Sequence, residues 1–308
     1  MTAGILLAAY AAAAGFLGPA ALGRRWAARA PRLAIVLWLT LPLSWVVAVV
    51  LAVLVLTTSF SLSWAAAGGG QAMQAAPPAP RATVAAVAGL LLATAVILRA
   101  CGCLASGLHR AGRARREHAA VIAAMGRPDH KLSAAIIDDD RPLAYCLPCG
   151  GQRVVVSTAA LAVLGPGQLR AVLAHERAHL RGRHHLMVTA AVALARAFPW
   201  VPLLAQAGPQ VAVLAELAAD DTAVRSHDPA SLAAALVVLA RAGAQAAALT
   251  AGGPAAAARI ERLLAPPARL GRPARGARLT GAAMALALPA VIACLPLLTA
   301  ACAVVSRP

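Results

Sequence analysis

Four long apolar runs constrain this chain more than any other feature: Thr2–Leu22, Leu33–Thr57, Val84–Ala105 and Gly281–Val305. A helix needs about 20 mostly apolar residues to cross the hydrocarbon core of a bilayer, and every run reaches that length. The 308 residues are 61% hydrophobic, with a mean hydropathy of +0.74. A soluble fold has nowhere to hide so much apolar surface. The first run lacks the basic start and short apolar stretch of a cleaved signal. A mostly α membrane protein with four transmembrane helices is therefore expected.

The charges orient it. Net charge is +17, yet Lys131 is the single lysine and the arginines flank the apolar runs, where cytoplasmic anchors sit. Arg24, Arg25, Arg29 and Arg32 follow the first run, His109–Arg116 follows the third, and Arg269, Arg272, Arg275 and Arg278 precede the fourth. The segment from about Ser59 to Arg81 is Gly- and Pro-rich with one charge. All basic clusters fall on one side if the N-terminus is outside. Arg99, near the inner end of the third run, is expected to reach the interface. With aromatics at 3%, stacking platforms for nucleic acid are excluded, and no direct nucleic-acid binding is expected.

All eleven acidic residues lie between Glu117 and Glu261, and all eight histidines between His109 and His227. The chain therefore divides into 1–108 with three transmembrane helices, a polar cytoplasmic domain at 109–278, and a fourth helix with a short tail at 279–308. Within the domain, Ser133–Ile137, Leu143–Leu147 and Arg153–Thr158 read as strands, the last two joined as a hairpin by a turn at 149–151. Gln168–Arg181, Val211–Val224 and Pro229–Leu249 read as helices. Leu186–Gln206 is apolar, but Arg196 and Phe198-Pro-Trp-Val-Pro202 argue for a helix packed in the domain or dipping into the membrane surface.

The chemistry concentrates in His175-Glu176-Arg177-Ala178-His179. Histidines four apart share one helix face and can reach one metal ion. Glu176 is turned about a quarter-circle away, where it can take a proton from an attacking water and return it to a leaving amine. A third ligand is needed. His185, in an extended run with Gly182, fits a metzincin pattern, but no Met-turn follows, and His184 and His185 then read as surface or helix-end histidines. Glu216 is favoured, with Asp220 one turn on, placed to hold a ligating histidine from behind. Glu216 can join His175 only if the 186–206 segment does not span the bilayer. One zinc ion is the expected cofactor. Arg153–Thr158 reads as an edge strand, making Val154, Val155 and Val156 candidate substrate-pairing residues. Asp138–Asp140 reads as a solvated turn, and the six cysteines as reduced thiols.

These residues carry a resemblance. Ala144-Tyr-Cys-Leu, Arg153-Val-Val-Val-Ser-Thr, Leu169–His179, Pro199-Trp200, Glu216–Asp220 and Arg259-Ile-Glu-Arg-Leu-Leu make the chain similar to the BlaR/MecR antirepressor metallopeptidases over about residues 1–305. The resemblance implies an inserted α+β gluzincin-like zinc peptidase domain with His175, His179 and Glu216 as ligands and Glu176 as base. It also implies cleavage of a cytoplasmic protein, often a winged-helix repressor, in signal transduction. The chain ends at Pro308, so the penicillin-binding sensor of antibiotic-detecting members is expected to be absent. Two other readings share the motif or the site: a membrane-protein quality-control peptidase resembling HtpX or the CAAX prenyl proteases, and a non-catalytic zinc-dependent scaffold or sensor.

Overall fold

A computed structural model describes the chain apart from residues 24–25, 69–79, 150–152, 247–252, 267, 269 and 306–308. Four helices frame it: α1 (Thr2–Leu22), α2 (Pro31–Gly68), α3 (Pro80–Met125) and α10 (Arg272–Val305). Each contains a stretch long and apolar enough to cross a membrane. Both α2 and α3 are longer than their apolar runs, so helix replaces much of the expected 59–81 loop, whose middle lies outside the described residues. The basic stretch 109–116 is likewise helical, and the expected boundary at 108 falls within α3. Leu90, Leu91, Leu92 and Leu98 stand exposed on α3, a surface suited to lipid rather than water.

The bundle has a polar pin. Pro289 in α10 has no N–H, which frees the carbonyl of Ala285 four residues earlier. Tyr10 Oη of α1 donates to that carbonyl at 3.0 Å, and Ser44 Oγ of α2 donates to it as well. In an apolar medium an unpaired carbonyl would cost several kcal/mol, so this junction ties three helices at one point.

Between α3 and α10 lies a small sheet in the order β1-β2-β4-β3: β1 (Arg127–Asp129), β2 (Ala134–Ile137), β3 (Ala144–Leu147) and β4 (Arg153–Ser157). Strand β4 runs parallel to β2 and antiparallel to β3. The expected hairpin partners do pair, while residues 150–151 of the expected turn lie outside the described residues. Helices α4 (Thr158–Val163), α5 (Pro166–Gly182), α6 (His184–Ala197), α7 (Pro202–Ala223), α8 (Pro229–Ala246) and α9 (Gly253–Leu264) follow.

One expectation about the sheet fails. Arg153–Ser157 is not an edge strand, because both of its ladders are occupied. Val154 and Val156 pack with the α5 and α8 core, whereas Val155 faces Ile122 at the end of α3. A strand covered on both faces reads as an unbroken apolar run, which is what Val-Val-Val signals. All three valines are sealed in the sheet, and none can offer its backbone to another chain. Among the described residues, the free edges are β1 and β3.

The apolar 184–223 stretch folds as two helices, broken at Phe198–Val201. Their hairpin is seated among α1, α2 and α3. Phe198, Val201, Leu203, Leu204 and Val211 share one core with Ile35, Trp38 and Val46 of α2. Close approach needs small residues: a Cβ on Gly18 of α1 would lie 3.0 Å from both Leu203 and Leu41. Arg99, expected to reach the interface, is exposed on α3. Its guanidinium donates to the last carbonyl of α6, at Ala197, and lies 5.5 Å from the centre of the Trp200 ring.

Candidate metal centre

Helix α5 begins at Gly165-Pro166, where Gln168 Oε1 accepts from the Gly165 N–H at 2.9 Å. Its inner face then packs Ala171, Val172, Leu173 and Ala174 against the sheet and α8. That burial sets the rotation of the helix, and it turns His175 and His179 toward α7. Their Nε2 atoms lie 3.0 Å apart. From α7, Glu216 places Oε2 at 3.4 Å from His175 Nε2 and Oε1 at 3.4 Å from His179 Nε2. One donor atom from each of the three residues falls within 4.8 Å of the others. His185, the rival third ligand, is not in that group.

The donor spacing fits a metal ion. A tetrahedral ion with bonds of about 2.0–2.1 Å holds its donors roughly 3.3 Å apart, against 3.0–3.4 Å here. Without an ion, the two Nε2 atoms can only share a proton at this distance; a metal would take that proton's place.

Asp220 stands behind the cluster, fully buried, with Oδ1 2.9 Å from His175 Nδ1. The approach is short but bent, leaving Nδ1 without a straight hydrogen bond. Sequence reasoning missed the residue that organises these acids. Arg259 of α9 donates from Nε and Nη2 to Asp220 at 2.9 and 2.8 Å, and its Nη1 lies 2.9 Å from Glu216. Arg262, one turn on, pairs with Asp221 at 2.8 Å and also donates to the Ala28 carbonyl in the turn between α1 and α2. Arg259-Ile-Glu-Arg carried only a family likeness in the sequence; nothing in its spacing linked it to Glu216.

Electrostatics separate the two histidines. Burial disfavours charge on His175, but Asp220 and Glu216 outweigh it and push its pKa up to about 9. Burial pushes His179 down, aided by the charge on His175. The Glu216 and Asp220 carboxyls are desolvated, yet His175 and Arg259 hold both below their ordinary values. Glu176 goes the other way: burial raises its pKa, with the Glu216 charge adding to the rise. Cys146 on β3 stands beside Glu176, and burial, with the Glu176 charge adding to it, pushes its thiol up to about 12. The thiol is thus protonated beside the carboxylate. The five described cysteines are all unpaired.

His184 opens α6, the helix-end position that the sequence allowed. It is 7% exposed, not a surface side chain, and its Nδ1 lies 3.0 Å from His179 Nδ1. The 138–140 stretch is the expected turn, with Asp139 accepting from the Arg141 backbone and side chain.

The sequence matches the family model of peptidase family M48 over residues 108–266, just over half the chain. That span contains α5, α7 and Arg259. No curated protein and no solved structure matches the chain.

Proposed function

The chain belongs to peptidase family M48, a metallopeptidase family, and on that premise we propose that it is a membrane-embedded zinc endopeptidase cutting a cytoplasmic protein substrate. His175, His179 and Glu216 would hold the zinc, with Glu176 as general base. One observation carries the reading: donor atoms from α5 and α7 converge within 4.8 Å, with Glu176 on the same helical turn. Two imidazoles and one carboxylate are a donor set that suits zinc, with a position left for substrate.

When bound, zinc supplies a Lewis acid that polarises the scissile carbonyl and acidifies water. The remaining steps belong to the chain. Glu176 takes a proton from the attacking water at its carboxylate and delivers it to the leaving amine. Its raised pKa brings it nearer to working pH for that exchange. Asp220 orients His175 through Nδ1. Strand β3, with its outer edge free and Cys146 against Glu176, is the natural rail for an extended substrate, because main-chain pairing accepts many sequences.

The arginine clusters support an outside N-terminus, with the 109–278 domain in the cytoplasm and residues 279–308 returning to the membrane. The motif likeness to BlaR/MecR antirepressors supports a winged-helix repressor as substrate. Purified protein loaded with zinc should cleave a co-encoded repressor, and Glu176→Gln should keep the zinc yet lose activity by about 10²–10⁴-fold. Full activity in that variant would remove Glu176 from the role of base.

A second reading, HtpX-type quality control, is favoured by the cavity of about 520 Å³ beside Glu216. Ala28, Val213, Leu217 and Ala256 line it, with Ala28 in the turn between two membrane-length helices. Cleavage of many damaged membrane proteins, with no preference for a repressor, would select it.

A further inference from the structure

The link between α5 and α6 is built to bring one histidine back onto another. On an unbroken helix a residue five positions on would point about 140° away, so His184 would face away from His179. The chain instead breaks at Arg183, which adopts a left-handed conformation with φ 48° and ψ 36°. That geometry is unusual for a residue with a Cβ, and it swings the His184 ring inward. Nδ1 of His184 comes to 3.0 Å from Nδ1 of His179, with the rings nearly perpendicular at 88° and their centres 4.8 Å apart. Gly182 makes the space: a Cβ there would lie 2.4 Å from His184 Nε2. His184 is 7% exposed.

Two facing Nδ1 atoms at this distance share one proton, so one donates and the other accepts. The Nε2 of His179 points at His175 Nε2 and Glu216 and must be bare to bind a metal. A neutral imidazole with a bare Nε2 carries its proton on Nδ1. We propose that His184 is a positioning residue for His179: it accepts the Nδ1–H, locking the tautomer and ring angle that present Nε2 to the metal. The inference rests on the reading of His175, His179 and Glu216 as a zinc site. It makes the two ligating histidines unequal. His175 is backed by a carboxylate, Asp220, and His179 by a neutral ring, which raises the basicity of its ligand less.

The test compares zinc affinities of the full-length protein in detergent, by competition with a chromophoric chelator, together with the visible spectrum of the cobalt(II)-loaded form. His184→Phe keeps a ring but has no acceptor. His184→Asn places Oδ1 close to where Nδ1 stood, and His184→Asp does so with charge. The expected result is a loss of zinc affinity of about 10–100-fold for His184→Phe, with an altered cobalt spectrum. Asn or Asp should return affinity to within about threefold of the parent. Gly182→Ala, which pushes the ring away and removes no polar group, should mimic His184→Phe, and it carries the test if the Phe variant does not fold. Parental affinity in both His184→Phe and Gly182→Ala overturns the proposal. So does an Asn variant as weak as the Phe variant, since packing rather than acceptance would then be the cause. His179→Ala separates the two levels. If the parent binds no zinc, or His179→Ala binds it equally well, the zinc-site reading fails and this proposal with it. If His179→Ala loses zinc and the His184 variants do not, only the His184 role falls.

Discussion

Replacing Asp220 by Asn keeps the side chain's shape and removes its charge. Arg259 then keeps at most one of its two bonds to this side chain, at 2.9 and 2.8 Å, and loses the opposing charge there, with Glu216 at 2.9 Å as its remaining ion-pair partner. The amide nitrogen of Asn would also face a guanidinium that has no acceptor to offer it. Breaking a buried ion pair from one side costs about 3–5 kcal/mol. Glu216 is 41% exposed at its side chain and Arg259 17%, so the surviving partner and solvent bring the expected cost to about 3 kcal/mol. For a domain of this size that corresponds to a fall of roughly 6–12 °C in the melting temperature of the metal-free protein. His175 loses the negative charge behind its Nδ1, which should weaken zinc binding about 10–100-fold.

The double variant Asp220→Leu/Arg259→Met distinguishes these effects. With the Asp220–Arg259 pair removed together, no unpaired guanidinium is left buried, and only the part-exposed Glu216 and the His175 Nδ1 lose a partner, so the double variant should be more stable than the single one. Zinc affinity should stay low, because neither His175 nor Glu216 regains its clamp. Thermal unfolding with chelator present and zinc competition would measure the two quantities. A single variant that loses under about 1 kcal/mol and under threefold in affinity would refute the argument. A double variant no more stable than the single one would refute it too.

Zinc loading should depend on pH in a stated direction. His175 in the metal-free protein is raised from 6.5 to about 9, so its protonated form stabilises that state below about pH 6.5, and the contribution fades as pH climbs to 9. Zinc must displace that proton, so affinity should rise by up to tenfold per pH unit across the same window, and calorimetry in two buffers at pH 7 should detect close to one proton released. Tyr10→Phe should destabilise the protein by about 1 kcal/mol by leaving the Ala285 carbonyl to Ser44 alone; in a Pro289→Ala background, where the helix can satisfy that carbonyl itself, the loss should shrink in thermal unfolding. Val155→Ala, at 0% exposure, should cost on the order of 2 kcal/mol and leave KM unchanged, whereas a raised KM would put β4 back in contact with substrate.

Much of the centre was legible in the sequence because helical periodicity is local. His175, Glu176 and His179 lie within two turns, and Glu216 and Asp220 repeat the same spacing on α7. The four apolar runs were legible for a simpler reason, their length. What escaped depended on backbone breaks or distant contacts. His184 turns inward only because Arg183, not the neighbouring glycine, takes the left-handed conformation. Arg259 meets Asp220 from 39 residues away, across segments with no shared period. Val154–Val156 was misread because an edge strand was expected to precede the motif helix, although three apolar residues without alternation describe a strand covered twice.

Helix α7 gives the molecule its mechanical character. Its first turn, at Leu203 and Leu204, is clasped by α1 and α2, while Glu216 and Asp220 ride near its far end. At 22 residues it is about 33 Å long, with Pro209 in its interior marking a natural point of bending between the two ends. The hydrolytic half therefore cannot be cut loose as a free-standing enzyme without baring the greasy root of this helix. The helices that grip that root and the carboxylate opposite the two imidazoles thus belong to one continuous element.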